Sequence, residues 1–375
     1  MTTWSPQQDQ ALRAIRDWHR DSDDPVFYLG GYAGTGKTTI AKQAAADCTS
    51  DRTGFALFAA FTGKAALVLR AKGCPGARTI HSLIYTAFEE EETDEAGNVV
   101  RVVHRYGLNK LSEVAAASLV VIDECSMVDE RIGKDLLSFG TKLLVLGDPA
   151  QLPPVRGEGF FTRYEPTFML TEIHRQARDN PIIRLSMDVR EGRRLERGAY
   201  GDSRVVRGLG QRAVMSADQV LVGRNSTRRT VNAKIRRLQG RDPGRPEVGD
   251  RLVCLKNDRK KALLNGGLWT VAEILEDDGQ FVRMAITSCD VDGLRAEVRV
   301  AHPFFTDPIE DIPWEVRKSS DEFTYGYALT VHKAQGSQWN DVLLIDESSA
   351  FRRDRARHLY TGITRAAERV TVVLP

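Results

Sequence analysis

The stretch Gly31-Tyr32-Ala33-Gly34-Thr35-Gly36-Lys37-Thr38 follows the apolar run Val26-Phe27-Tyr28-Leu29 and precedes Thr39-Ile40-Ala41-Lys42-Gln43-Ala44-Ala45-Ala46. Strand, glycine-rich turn and helix in that order form a phosphate-binding loop, whose backbone N–H groups close around the β- and γ-phosphates of a nucleotide. Lys37 adds a point charge, and Thr38 offers a hydroxyl to Mg²⁺. The helix-forming residues that follow point their positive N-terminal end at the phosphates. Gly31, Gly34, Thr35, Gly36, Lys37, Thr38 and Thr39 are therefore the expected ATP-binding residues, with ATP and Mg²⁺ as the cofactors.

Outward from the loop, apolar strand-like runs alternate with helical stretches, the pattern of α/β domains with parallel sheets. Residues 26–29, 55–61, 119–122 and 143–146 are the expected buried strands of the first half. Residues 219–222, 342–345 and 370–374 are those of the second. Two α/β cores are expected to meet near residue 168. Residues 85–112 carry Glu89-Glu90-Glu91-Glu92, a turn-like segment at 94–98 and Val99-Val100-Arg101-Val102-Val103, which reads as a hairpin inserted in the first core. Residues 247–321 alternate short β-type runs with turns and read as a small β-barrel inserted in the second.

The chain has 375 residues, enough for two to three domains, with 28% charged and 42% apolar residues, as in a soluble globular protein. No run of eighteen apolar residues is present, and the N-terminus lacks the segments of a secretion signal. A cytoplasmic protein with no membrane partner is expected. Cys48, Cys74, Cys125, Cys254 and Cys289 form no C-x-x-C pair, which argues against structural zinc and a disulfide framework. The net charge is only +2, so any nucleic acid must be held by local basic stripes.

Val120-Val121-Ile122-Asp123-Glu124 is an apolar strand ending in two carboxylates. Asp123 would hold Mg²⁺, and Glu124 would orient or deprotonate the attacking water. Leu344-Ile345-Asp346-Glu347 looks much the same. It lies in the half without the phosphate loop, and Asp346 and Glu347 are read as a strand end and turn.

Further motifs follow in order. They are Ser5-Pro6-Gln7-Gln8-Asp9-Gln10-Ala11-Leu12, Phe61-Thr62-Gly63-Lys64-Ala65-Ala66, Thr79-Ile80-His81-Ser82-Leu83 and Asp123-Glu124-Cys125-Ser126-Met127-Val128-Asp129. Beyond these stand Leu146-Gly147-Asp148-Pro149-Ala150-Gln151-Leu152-Pro153-Pro154-Val155 and Leu170-Thr171-Glu172-Ile173-His174-Arg175-Gln176. Tyr327-Ala328-Leu329-Thr330-Val331-His332-Lys333-Ala334-Gln335-Gly336-Ser337 and Leu359-Tyr360-Thr361-Gly362-Ile363-Thr364-Arg365-Ala366 complete the set. From about residue 5 to residue 372 the chain resembles superfamily 1B DNA helicases of the RecD/Dda-like, phage-type branch.

The resemblance implies two RecA-like P-loop cores with parallel sheets, a β-hairpin insert in the first and an SH3-like β-barrel insert in the second. The implied domains are 1–84 with 113–168 (core 1A), 85–112 (insert 1B), 169–246 with 322–375 (core 2A) and 247–321 (insert 2B). Gln8 would read adenine, Gln151 would sense the γ-phosphate, and Arg175 and Arg365 would be arginine fingers. Thr62, Lys64, His81, Thr330, His332 and Lys333 would touch DNA, as phosphate and sugar contacts without sequence information. Gly336 and Gln338 would lie at the nucleotide; the family commonly has a ribose-binding glutamate where Gln338 stands. Phe61, Tyr85, Phe88, Tyr106, Trp269 and Trp339 are candidates for stacking on bases.

By the same resemblance the chain would be a stand-alone, monomeric motor driven by ATP. It would move 5′ to 3′ on single-stranded DNA and open single-strand/duplex forks with the 85–112 hairpin as wedge. A single-strand-binding or replisome protein is an implied partner. Two alternatives stay open on sequence: a translocase or protein-displacing motor without strand separation, and a regulatory ATPase subunit of a larger complex.

Overall fold

The computed structural model describes residues 4–50, 54–93, 99–154, 159–172, 180–208, 210–258 and 260–375. The chain divides into two compact units. One is Met1–Phe61, Ala65–Pro149 and Pro153–Glu172; the other is Thr62–Lys64, Ala150–Leu152 and Ile173–Pro375.

The first unit is built on a six-stranded parallel sheet in the order Arg78–Thr79, Ala56–Ala60, Leu119–Asp123, Leu143–Gly147, Val26–Gly31, Phe168–Leu170. Its strands are nearly continuous apolar runs because both faces are covered. Alternation sends Phe27, Leu29 and Val121 to one face, against Ala11, Leu12, Ile15 and Trp18 of the helix Pro6–Asp21. Tyr28, Val120 and Ile122 go to the other, against Ile132 and Leu136 of the helix Glu130–Leu137. Each fully buried large apolar side chain contributes about 1.5–3 kcal/mol. Phe168–Leu170 pairs with Val26–Gly31, so the first sheet extends past the boundary of 168 expected from sequence.

Tyr85–Thr93 and Val99–Leu108 pair as an antiparallel two-stranded hairpin, with Tyr85 opposite Leu108. Its base is fixed by the Tyr85 hydroxyl donating to Asp135 and by the Asn109 N–H donating to the Ile84 carbonyl at 2.8 Å. Phe88 and Tyr106 stand exposed on it. Its turn segment 94–98 lies outside the described residues.

The second unit contains a six-stranded sheet, ordered Ala328–Thr330, Gln219–Val222, Trp339–Ile345, Ala366–Val373, Ser203–Val206, Gly198–Tyr200, parallel except for the last pair. It also contains a five-stranded antiparallel sheet: Arg295–Ala301, Phe281–Ser288, Leu268–Asp277, Arg251–Cys254, Phe323–Tyr325. Two register shifts in Leu268–Asp277 bend this sheet. Beside its edge strand, the Asp321 N–H donates to the Arg299 carbonyl and the Ala301 N–H donates to Ser320 Oγ (2.8 and 2.9 Å). Its final strand, Phe323–Tyr325, falls beyond the boundary of 321 expected from sequence. Trp269 is 2% exposed in the core of this sheet, so it is a packing residue and not a stacking platform. No helix among the described residues is long and apolar enough to cross a membrane.

A buried ionic network ties this sheet to the helix Asn225–Leu238. Arg236 and Asp250 both have fully buried side chains and pair at 2.9 Å; Arg236 also donates to the Tyr325 hydroxyl (2.6 Å) and the Arg245 carbonyl (2.7 Å). Asp250 accepts in addition from Arg241 (2.7 Å), the Tyr327 hydroxyl (2.8 Å) and the Glu247 N–H (2.6 Å). Removing one partner strands the other charge. Arg236→Ala is therefore expected to lose roughly 3–5 kcal/mol of stability in urea unfolding. A loss under about 1 kcal/mol, the range of an exposed pair, would contradict this.

Candidate nucleotide and nucleic-acid sites

At the C-terminal end of Val26–Gly31 the chain enters the glycine turn. Gly34 and Gly36 have φ of 81° and 83°, a left-handed conformation that only glycine adopts freely. Gly36 is the N-cap of the helix Lys37–Cys48 and supplies no side-chain cap, so the first N–H groups of that helix remain for an anion. Lys37 Nζ donates to the carbonyls of Gly31 and Tyr32, which hold it over the loop.

Asp123 and Glu124 end a strand in the same sheet. The Asp123 carboxylate faces the Thr38 hydroxyl at 3.5 Å and accepts the Glu124 N–H at 2.8 Å. Burial, and then the neighbouring Glu124, push the Asp123 carboxyl above the usual carboxylate range. Two hard oxygen donors in a site that disfavours a bare negative charge fit Mg²⁺, which takes few protein ligands and completes its shell with water and phosphate. Thr38 and Asp123 would hold the ion, and its charge would offset that of the phosphates. Glu124 has φ 53° and ψ 46°, a left-handed conformation that costs a non-glycine residue about 1–3 kcal/mol and is concentrated at functional sites.

Gln8 and Gln7 separate clearly. Gln8 is 4% exposed, accepts the Ser5 N–H and donates to the Thr35 carbonyl of the loop at 3.2 Å. Gln7 is engaged with Met169, Thr171 and Glu172. Thr39 is exposed at the start of the loop helix, and Thr35 is buried beneath it.

In the second unit three of the sequence motifs meet. The Leu152 N–H donates to Thr361 Oγ1 at 2.9 Å, and Gln335 Nε2 donates to the Leu152 carbonyl at 2.9 Å. These bonds fix Gln151, which is 8% exposed with its Oε1 unmatched among the described residues. Arg365 is 6% exposed, and its guanidinium donates to the carbonyls of Thr361 (3.2 Å) and Ser337 (3.3 Å). Gly336 turns at φ 74°, and Gln338 is exposed. Arg175 lies outside the described residues.

The expected DNA contacts divide. Thr330 is buried, and its hydroxyl accepts the Lys333 N–H at 3.3 Å. His81 is exposed beside Phe61 and Tyr85, and Thr62 is half-buried. His332 is half-buried against Phe351 and His358, and burial lowers its pKa. Lys64 is only 7% exposed, pairs with Asp290 at 3.2 Å and lies over the Trp339 ring at 4.5 Å. Tyr85 is buried as well, which leaves Phe88 and Tyr106 as the most exposed of the aromatic candidates.

Glu347, of the second apolar-acidic run, has a different task. Its carboxylate accepts the N–H groups of Gly223 (2.8 Å) and Arg224 (3.0 Å) and the Thr227 hydroxyl (2.7 Å). The chain's own carboxylate thus binds the backbone that leads into Asn225–Leu238.

Loop, uncapped helix start and paired carboxylates on a parallel sheet define a P-loop nucleoside-triphosphatase core. A family described as AAA domain matches residues 3–211, more than half of the chain, and one described as UvrD-like helicase C-terminal domain matches residues 325–373. The ATP-dependent RecD2 DNA helicase of Deinococcus radiodurans is 29% identical over 378 residues, 92% of this chain and 46% of its own length. The ATP-dependent DNA helicase Pif1 of Bdellovibrio bacteriovorus is 26% identical, covering 90% of this chain and 81% of that protein. A Bacteroides Pif1 helicase solved with ADP-AlF3 and single-stranded DNA shares the fold, with a TM-score of 0.56 at 19% identity over 99% of this chain and 92% of that one. The chain belongs to the AAA-domain family, and it is similar to helicases named RecD2, Pif1 and Dda. It spans about half the length of its RecD2 relative.

Proposed function

We propose that this protein is an ATP-dependent DNA helicase that moves 5′ to 3′ along single-stranded DNA and separates duplex strands. The observation that carries the reading is the strained Glu124 beside Asp123, on the sheet that also presents Lys37 and the Gly34–Gly36 turn. In this reading Lys37 and the loop N–H groups bind the phosphates, and Glu124 activates the attacking water. Thr38 and Asp123 hold Mg²⁺, Gln8 lies at the adenine, and Gly336 and Gln338 lie at the nucleotide. Gln151 and Arg365 act on the γ-phosphate; the bonds joining Leu152, Gln335 and Thr361 support their acting together. An arginine finger on one core that acts on ATP held by the other makes hydrolysis depend on closure, which couples it to stepping. Thr62, His81, Thr330, His332 and Lys333 contact the strand; Lys64 would first have to exchange Asp290 for it.

Direction and the wedge rest on the branch and on the hairpin Tyr85–Thr93/Val99–Leu108. We read the five-stranded antiparallel sheet as the SH3-like insert that helps hold the strand, and the two parallel sheets as RecA-like cores. Duplexes with a 5′ single-stranded tail are expected to open and those with a 3′ tail to stay closed in a gel-based unwinding assay. Deleting residues 88–104 should impair unwinding more than DNA-stimulated ATP hydrolysis, since a wedge separates strands without firing the motor. Preferential opening of 3′-tailed duplexes would overturn the direction, and parallel loss of both activities would overturn the wedge.

A further inference from the structure

The helix Asn225–Leu238 turns Arg228, Asn232, Ile235 and Arg236 inward. Two of the three polar members of this stripe are fully accounted for. Asn232 donates to the Ala328 carbonyl (3.1 Å) and accepts the Ala328 N–H (2.8 Å), while Arg236 is locked to Asp250 and Tyr325. The third, Arg228, is 4% exposed, and its Nε and Nη1 meet no hydrogen-bond partner among the described residues. A buried guanidinium without an acceptor is unfavourable, and such a group is expected where a ligand completes it.

Topology places Arg228 beside a second cation. The strands Gln219–Val222 and Ala328–Thr330 are parallel, and the helix that follows the first runs back in the opposite direction. One helical turn before Asn232 is about 6 Å. Two residues beyond Ala328 is about 7 Å. Arg228 is therefore level with Thr330, whose hydroxyl fixes the turn that carries Lys333. Lys333 is half-buried, feels Arg228 as a like charge, and has no side-chain hydrogen bond or ion pair among the described residues. The acids near this pair are otherwise engaged or unbonded to it: Glu322 holds Arg317 at 3.1 Å, and Glu310 makes no bond to Arg228. The N–H groups of Gly223 and Arg224, just before the helix, are taken by Glu347.

We propose that Arg228 and Lys333 together grip one backbone phosphate of the bound nucleic-acid strand, with Arg228 as a strand-binding residue that the sequence motifs do not mark. This rests on the DNA-binding reading above. A phosphodiester supplies what the pair lacks: one negative charge, and oxygen acceptors matched to the planar guanidinium fork. The contact carries no base information, so it contributes to grip and not to sequence choice.

The test is binding of a fluorescent oligothymidylate by anisotropy over a salt series, for the wild-type chain, Arg228→Gln and Arg228→Lys. Losing one phosphate contact should lower the slope of log affinity against log salt by about 0.7. Affinity at low salt should fall roughly 5- to 10-fold for Gln and less for Lys. A single uncharged methylphosphonate linkage, scanned along the strand, should weaken the wild type at one position and be silent there in Arg228→Gln. The thermal midpoint of Arg228→Gln should stay level or rise, because a buried unpaired charge is removed.

An unchanged slope, or a lowered midpoint with an unchanged slope, would make Arg228 structural and overturn the inference. Weakened Mg·ATP binding in place of oligonucleotide binding would overturn it too. So would inorganic phosphate binding that is lost in the variant while oligonucleotide affinity is kept. A wild-type chain that does not bind the oligonucleotide at all would instead overturn the helicase reading itself.

Discussion

Glu124→Gln is expected to bind Mg·ATP about as tightly as the wild-type chain while its turnover falls by about 10²–10⁴-fold. Glutamine keeps the size and hydrogen-bonding reach of the side chain but cannot take a proton from water. The left-handed conformation of Glu124, beside a carboxylate bonded to its own N–H, suits a residue aimed at chemistry rather than at packing. Lys37→Ala should behave differently. In the proposed site it removes a charge that would touch the phosphates in the ground state, so affinity and turnover should fall together. Equilibrium binding of a fluorescent ATP analogue, read beside steady-state phosphate release, separates the two. Equal loss of affinity in both variants would remove Glu124 from the role of base.

Arg365→Ala is expected to lose the stimulation of ATP hydrolysis by single-stranded DNA while retaining most of its DNA affinity. Arginine fingers contribute about 10³–10⁵ in rate where the geometry is complete. Arg365 is held by the Thr361 and Ser337 carbonyls, which orient the guanidinium without neutralising it. Arg365→Lys keeps the charge but not the planar fork and should recover only a small part of the rate. A variant that loses DNA affinity but keeps its DNA-stimulated rate would move Arg365 out of the nucleotide site.

The phosphate loop was legible because its chemistry is local. Glycines at 34 and 36 are needed for a backbone that turns left-handed, and the apolar strand before and helix after them are adjacent in sequence. The strands at 119–123, 143–147 and 219–222 were legible for a similar reason: burial on both faces requires continuous apolar runs. What sequence did not reveal depends on partners far apart in the chain. Lys64 meets Asp290, Arg236 meets Asp250 and Tyr325, and Glu347 binds backbone more than a hundred residues earlier. Trp269 looked as available for stacking as Tyr106, because one aromatic letter does not tell which face of a strand is covered. The strands Phe168–Leu170 and Phe323–Tyr325 are only three residues each, too short for alternation to assign them to a sheet. Arg228 sits in a helix with several other basic residues, and only its lack of an acceptor sets it apart.

In the proposed function, ATP hydrolysis by this chain drives a motor on single-stranded DNA. Steady-state ATP turnover, measured without nucleic acid and with single-stranded DNA, duplex DNA or single-stranded RNA, tests it most directly. At least several-fold stimulation by single-stranded DNA is expected, with little difference between base sequences and a response that falls steeply as salt rises. A rate indifferent to single-stranded DNA, or one stimulated by RNA alone, would contradict it.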